Sequence, residues 1–400
     1  MAANTKTFRK AARYAVPVAV IGVVGATVAL VPAFANAGGP DLPKITAQEL
    51  IEKIAASDVE QLSGTAKIST DLGLPKLAGG LLGGGGGVSG GSADPQDKVA
   101  QLASGTHTFK VAADGPDRQK LTFLDGKDEY SLIHNGKDVW GYDSKSKEVY
   151  HEKADEAGAA GKERKTAERM PATPKQLAEE ALKAAGTTTE VSVGDTAQVA
   201  GRDAYQLVLK PKQSGSTVES VRIAVDAKNG VPLRFQLLAG QGGKPIVDAG
   251  FTQVDFKKPA ADTFAFTPPK GAKVIEGSEH GKDGKEFKGL ESIPGLDGLT
   301  GGALNGKDGG ETKVLGEGWA SVARIDSGAG KGLKELENDK NAPKEAKQFL
   351  NSLGDKVTGK FGEGRVFSTR LVNALITDDG KVYVGAVTKD QLVKTANADK

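Results

Sequence analysis

The chain has 400 residues and contains no cysteine. This excludes disulfides, thiol catalysis and metal sites built from cysteine. It also excludes a lipoprotein that carries its lipid on a cysteine after the signal sequence. If the protein is exported, its stability must come from ordinary packing, because no cross-link can replace a weak core.

Excess charge of either sign is also nearly absent, since the formal net charge is +2. Lys6, Arg9, Lys10 and Arg13 precede the first acidic residue, and the rest of the chain carries 49 basic against 51 acidic side chains. A protein that binds nucleic acid needs a clustered basic face. We therefore expect no nucleic-acid partner.

Motifs for catalysis, metals and cofactors are missing as well. The four histidines, at positions 107, 134, 151 and 280, have no metal-ligand spacing, so we interpret them as structural or exposed. The stretch "DSGAGKG" at 326–332 has Gly332 where a phosphate-binding loop needs Ser or Thr for magnesium. We predict no enzyme, no cofactor and no metal, and keep an envelope hydrolase or a scaffold as the second alternative function.

The N-terminus has the pattern of an export signal. A basic start, "KTFRKAAR", leads into a long apolar stretch that ends in the small-residue steps "AFA" and "ANA". Signal peptidase requires small residues one and three positions before the cut, which Ala35 or Ala37 satisfies. The alternative is an uncleaved anchor, because the apolar stretch is about as long as a membrane-spanning helix of roughly 20 residues. Both interpretations place the bulk of the chain outside the cytoplasm.

Period-two patterns predict a sheet of consecutive antiparallel strands. Apolar residues alternate in "THTFKVAADGPDRQKLTFL", in "AYQLVLK" and in "VRIAV", and Asn135-Gly136 and Asn229-Gly230 are hairpin turns. A capping box from Thr46 to Glu49 starts a first helix, and Thr173 with Pro174 starts a second one. The sheet would be half-buried, with these two helices covering its apolar face.

The segment "FTQVDFKKPAADTFAFTPP" at 251–269 is unusually rich in phenylalanine. A change of apolar parity after Phe251 predicts a β-bulge near Gly250. "FAFTPP" is predicted to be a last short strand, with Phe264 and Phe266 on one face and the two prolines ending the ladder.

The last part of the chain predicts a small second unit. "TKVLGEGWASVARID" is a predicted strand, 343–357 a helix, and Asp379-Gly380 the turn of a hairpin. A final capping box runs from Thr388 to Gln391.

The order of these elements resembles a known family. "HTFKVAADGPDRQKLTF", "IHNGKDVWGYDSKSKEV", "VAGRDAYQLVLKPK", "VRIAVDAKNGVPLRFQL" and "FTQVDFKKPAADTFAFTPP" follow one another as in the periplasmic lipoprotein carrier LolA, the regulator RseB and their relatives. The resemblance, which extends over about 45–274, implies an incomplete, strongly curved antiparallel half-barrel with helices as a lid. The expected fold class is therefore α+β, with a small C-terminal α+β module added to the half-barrel.

The resemblance also implies a function and a site. In such proteins the apolar concave face holds acyl chains, so the expected ligand is a lipid or a lipoprotein and the protein is expected to be a non-catalytic, monomeric carrier. The alternative is an RseB-like envelope-stress sensor that binds a membrane-bound anti-sigma factor. The residues expected on the concave face are Phe109, Val111, Leu121, Phe123, Trp140, Tyr205, Leu207, Val221, Ile223, Leu233, Phe235 and Phe251. Ordinary core packing is the competing interpretation for each of them.

Four segments are predicted from these patterns. They are a signal peptide or signal anchor at 1–37, a LolA-like binding domain at 38–274 with a glycine-rich insertion at 79–91, a flexible linker at 275–312 and the C-terminal module at 313–400.

Overall fold

The structure is a computed structural model, and it describes residues 39–73, 105–153, 182, 186–240, 242–276, 312–326 and 354–399. The predicted export signal with Ala35 and Ala37, the glycine-rich insertion and most of the predicted second helix lie outside these residues. Among the described residues, no helix is long and apolar enough to span a membrane.

The first sheet has 13 strands. Twelve of them follow one another in the order β13-β6-β5-β4-β3-β2-β1-β12-β11-β10-β9-β7, and β8 pairs with β9 beside this order. The sheet is open, because β13 and β7 at its two ends do not pair with each other. All its pairs are antiparallel except the one between β13 and β6. Its strands are β1 (Gln61–Thr70), β2 (Gly105–Asp114), β3 (Arg118–Asp125), β4 (Asp128–Asn135), β5 (Asp138–Asp143), β6 (Glu148–Lys153), β7 (Thr189–Val193), β8 (Ala197–Val199), β9 (Arg202–Pro211), β10 (Val218–Asp226), β11 (Pro232–Ala239), β12 (Val247–Asp255) and β13 (Lys273–Glu276).

The second sheet has six strands in the order β14-β15-β19-β18-β17-β16. They are β14 (Thr312–Leu315), β15 (Val322–Asp326), β16 (Lys356–Gly359), β17 (Gly362–Ser368), β18 (Asn373–Thr377) and β19 (Lys381–Gly385). The single strand predicted over 312–326 is therefore wrong, because Gly316 and Gly318 adopt positive φ and the chain folds back as a hairpin. The predicted helix at 343–357 is wrong at its end, where β16 begins.

The described residues contain two α-helices, α1 (Ala47–Ala55) and α2 (Lys389–Ala398). Both begin where the sequence predicts, with Thr46 and Thr388 as N-caps, and the capping box of Thr46 and Glu49 is complete. The protein is thus mainly β, with an open curved sheet as its largest element. Of the described helices, α1 packs on that sheet through Leu50 and Ile54. The expectation that helices cover the sheet is not confirmed.

The predicted hairpin turns are confirmed. Asn135-Gly136 joins β4 to β5, Asn229-Gly230 joins β10 to β11, and Asp379-Gly380 joins β18 to β19. Gly230 needs to be glycine for two reasons: its φ is +74°, and a Cβ there would lie 2.2 Å from the carbonyl oxygen of Lys53.

The phenylalanine-rich segment is only partly as predicted. A bulge does interrupt β12, but at Thr252, because Gln253 pairs with Thr65 while Phe251 pairs with Ala66. "FAFTPP" is not a strand. Residues Ala261–Phe264 form a 3₁₀ turn, η1, and the strand that follows is β13, parallel to β6. Phe264 is completely buried. Its ring therefore packs in the core from a 3₁₀ turn and not from a strand of the sheet.

One apolar core joins the two sheets. Ile246, between β11 and β12, and Val218 of β10 pack in the same buried cluster as Phe367 of β17 and Ile325 of β15. Backbone bonds reinforce the contact, since Thr217 N–H donates to the Ala386 carbonyl at 3.0 Å. The second sheet is therefore docked on the β10–β12 side of the first sheet.

Candidate functional site

The first group of candidate residues forms an apolar ladder across β1 to β5. Ala66 pairs with Phe109 and Phe109 pairs with Phe123, which in turn pairs with Tyr130. The rings of Phe109 and Phe123 are tilted, with centroids 5.5 Å apart. Residues directly opposite each other on adjacent strands point to the same face, so these side chains form one continuous strip. We call this strip with its neighbours the ladder cluster; its buried members are Phe109, Leu121, Phe123, Tyr130, Leu132 and Val139.

The ladder cluster contains residues that were not among the candidates. Tyr130, Leu132 and Val139 are buried in it together with the expected Leu121 and Phe123. Tyr130 and Leu132 also alternate along β4, so period two could have found them. Val111 is half-buried at its edge.

The second group lies under α1. Five candidates share a cluster with Leu50 and Ile54, the buried residues of α1. We call it the helix-covered cluster; its candidates are Tyr205, Leu207, Val221, Ile223 and Phe235. Leu182, from the predicted second helix, is half-buried against it. These side chains are a closed core in this structure.

The last candidates fall into other surroundings. Leu233 and Phe251 pack together with Ala66 in a third cluster, which also contains Ala204 and Ala224. Leu233 lies at a register shift, because Ala224 pairs with Arg234 while Val225 pairs with Pro232. The structure thus divides eleven of the twelve candidates among three clusters.

Trp140 is separate from all three clusters. Successive residues of a strand point to opposite faces, so Trp140 lies on the other face of β5 from Val139 of the ladder cluster. There its indole stacks on His151, with centroids 3.7 Å apart, and also packs against Phe266 at 5.5 Å. The second half of the phenylalanine-rich segment thus covers the face opposite the ladder cluster.

His151, which stacks on Trp140, also contacts two carboxylates. Its Nε2 lies 2.9 Å from a carboxylate oxygen of Asp138, and its Nδ1 lies 3.1 Å from one of Glu276. No group of His, Asp and Glu that could hold a metal occurs among the residues that the structure describes. Through these two contacts His151, on β6, links β5 and β13.

The ladder cluster can bind only by exclusion of water. Its members are hydrocarbon or aromatic, and each is less than a tenth exposed. Such a surface offers an acyl chain about 0.8 kcal/mol per buried CH₂ and needs no polar anchor. The same composition and burial are also those of ordinary core packing, the competing interpretation for these residues.

The comparisons with known proteins agree with the resemblance seen in the sequence. Residues 99–269 match the family model described as the MucB/RseB N-terminal domain. This match covers β2 to β12, which is less than half of the chain, and it agrees with the resemblance to LolA, RseB and their relatives. No curated protein is similar enough in sequence to count as a relative.

Several solved structures are similar at low identity. The complex of MucA and MucB from Pseudomonas aeruginosa is 15% identical, covers 88% of this chain and 96% of that one, and has a TM-score of 0.38. An uncharacterized conserved protein from Thermus thermophilus is 12% identical, covers 57% and 98%, and has a TM-score of 0.31. A LolA superfamily protein from Nitrosomonas europaea is 10% identical, covers 56% and 99%, and has a TM-score of 0.23. Every one of these TM-scores is below 0.5.

Proposed function

We propose that this chain is an exported binding protein without catalytic activity, which holds acyl chains of a lipid or a lipoprotein on the ladder cluster of its first sheet. The observation that carries the proposal is the continuous apolar strip from Ala66 through Phe109 and Phe123 to Tyr130. It lies largely within the segment that matches the MucB/RseB model, a family of binding proteins.

Of the three clusters, the ladder cluster fits this role best. The helix-covered cluster is closed by Leu50 and Ile54 of α1, both nearly or fully buried. An acyl chain could enter there only if α1 moved away. The ladder cluster is buried too, but all of its described members and neighbours lie on strands. At its edge, Val111 is half-buried and lies beside Leu121 in the register of β2 and β3. A larger side chain in place of Val111 should therefore block the access of an acyl chain to the strip.

Native mass spectrometry of the protein purified from the cells that make it tests the proposal. We expect a bound lipid mass, and uptake of a fluorescent fatty acid by the delipidated protein. Val111→Trp should weaken that uptake by about tenfold, which corresponds to roughly 1.4 kcal/mol. The matched control is Val314→Trp, because Val314 is 66% exposed on β14 and far from the strip. A lipid-free mass together with no uptake, or equal uptake by both variants, contradicts the proposal.

An RseB-like sensor is the second candidate function. The matched family model is that of MucB/RseB, and one of the similar solved structures is MucB in complex with MucA(peri). For this chain the expectation is binding to the extracytoplasmic part of a membrane-bound anti-sigma factor. Co-purification of such a factor with a tagged form of this chain supports the sensor. If this association depends on bound acyl chains, the protein is a sensor and not a carrier.

A further inference from the structure

A groove lies between β16 and α2, on the side of the second sheet away from the first. It is shallow and open to solvent, has a volume of about 480 Å³, and is lined by Val357 and Thr358 of β16 and by Lys389, Asp390, Val393, Lys394 and Asn397 of α2. Val357 and Val393 are half-buried and form its apolar floor, in contact with the buried cluster beneath α2. The ladder cluster is in the other sheet, so this groove is a distinct surface.

One wall of the groove is an unpaired strand edge. β16 is the last strand of its sheet, and no other described strand pairs with its outer side. The Val366 N–H donates to the Asp355 carbonyl at 3.1 Å. Because backbone groups of an antiparallel strand point alternately toward and away from the partner, those of Lys356 and Thr358 point away from β17. Lys360 N–H, the next in this series, donates to Asn397 Oδ1 at 2.6 Å, which closes one end of the edge.

The charge around the groove is mainly positive. Lys356, Lys360 and Lys394 are exposed, and their side chains form no ion pair with any described residue. Lys389 is paired with Asp355 at 2.8 Å, and Asp390 is the acidic residue that lines the groove. An extended chain with carboxylates would therefore meet complementary charge as well as free backbone donors and acceptors.

We propose that this groove binds an extended acidic peptide segment of a partner protein, which adds a strand to β16. Strand addition uses main-chain hydrogen bonds for affinity and side-chain pockets for specificity. Alternate apolar side chains of the peptide would rest on Val357 and Val393, and its carboxylates would face the lysines. A second copy of this chain fits less well, because pairing β16 with itself would bring Lys356 and Lys360 of both copies together.

The proposal is tested on the full chain with a short fluorescein-labelled peptide of alternating glutamate and valine, followed by fluorescence anisotropy. We expect binding that weakens as salt is added, because the lysines are exposed. Lys394→Glu should lower the affinity by about tenfold, whereas Lys127→Glu, an exposed lysine in the turn between β3 and β4, should leave it unchanged.

A second pair of variants tests the strand edge itself. Thr358→Pro removes one backbone N–H that faces the groove, and proline is tolerated on edge strands where that N–H is unpaired. We expect it to weaken peptide binding, while Thr358→Ala keeps the N–H and the affinity. Circular dichroism establishes that each variant is folded. Absence of binding to the wild type, equal affinity of Lys394→Glu and wild type, or concentration-dependent dimerisation that Thr358→Pro abolishes overturns the proposal.

Discussion

His151 and Trp140 stack face to face across β6 and β5, with ring centroids 3.7 Å apart and an angle of 13° between the planes. The same imidazole contacts Asp138 on β5 and Glu276 on β13. β13 is short and forms the parallel pair of the sheet, with Val274 44% exposed. The contact with Glu276 is therefore a main side-chain link between this edge strand and the sheet.

His151→Phe should loosen β13 without disturbing the stack on Trp140. Phenylalanine keeps the flat ring but cannot donate to Glu276 or Asp138. We expect a loss of about 1–2 kcal/mol in the free energy of unfolding and faster hydrogen exchange at Lys273–Glu276. In the control, Lys273→Gln removes only the exposed ion pair of Lys273 with Glu148, which should cost less than about 1 kcal/mol. Unchanged exchange in β13 after His151→Phe would contradict the role given to His151.

Much of the first sheet could be predicted from the sequence, because hairpins depend on neighbouring residues. At the turn after β10, Asp226 Oδ1 accepts hydrogen bonds from the backbone amides of Lys228 and Asn229, and Gly230 supplies the positive φ. All of these residues lie within one five-residue stretch, 226–230, so the pattern of the turn is visible in the sequence.

Contacts between distant segments could not be predicted in this way. Glu276 meets His151 across 125 residues, and no local pattern marks either residue as the partner of the other. Phe264 and Phe266 alternate like a strand, but the 3₁₀ turn at Ala261–Phe264 buries one ring, and the other packs on Trp140. The division of the candidate residues among three clusters is equally non-local, because the bulge at Thr252 and the register shift at Leu233 change which side chains meet.

Phe367→Ala should destabilise both sheets together. Phe367 is 5% exposed and belongs to the same core as Ile246 and Val218 of the first sheet. Removal of a buried phenylalanine ring costs about 3–5 kcal/mol. Hydrogen exchange with mass spectrometry should therefore show reduced protection in peptides from β11 and β12 as well as from β17 and β18. The control Val314→Ala, at an exposed position, should stay within about 0.5 kcal/mol of the wild type. Reduced protection confined to the second sheet would show that the core does not couple the two sheets.

We expect the hydrogen bond between Trp319 and Thr189 to contribute a measurable coupling energy to the contact between the two sheets. The Trp319 indole donates from Nε1 to Thr189 Oγ1 at 2.8 Å. Its ring packs against the core that joins the two sheets and against the helix-covered cluster. In a double-mutant cycle of Trp319→Phe and Thr189→Val, we expect a coupling energy of about 0.5–1.5 kcal/mol. The measurement is denaturant unfolding of the four proteins in the cycle. Strictly additive effects would contradict a direct bond between the two side chains.

Asp226 should make the stability of the first sheet sensitive to acid. Burial raises the pKa of Asp226, but hydrogen bonds from Arg202 and from the Asn229 and Lys228 amides lower it by more, so the pKa lies below its ordinary value. A carboxyl of this kind stabilises the fold above its unfolded pKa of roughly 3.9. That stabilisation is lost as the pH falls through the lower pKa of the folded state.

Asp226→Asn tests this expectation by removing the charge that faces Arg202. The side chain of Asp226 is 1% exposed, so the variant should unfold with about 2–3 kcal/mol less free energy at neutral pH. The difference should narrow below roughly pH 4, because the Asp226 carboxyl of the unfolded wild type takes up a proton there while that of the folded protein stays charged to lower pH. Urea unfolding at several pH values measures it, with Asp262→Asn as the control because Asp262 is exposed on η1. A difference that stays constant from pH 7 to about pH 3 would show that the charge of Asp226 does not stabilise the turn.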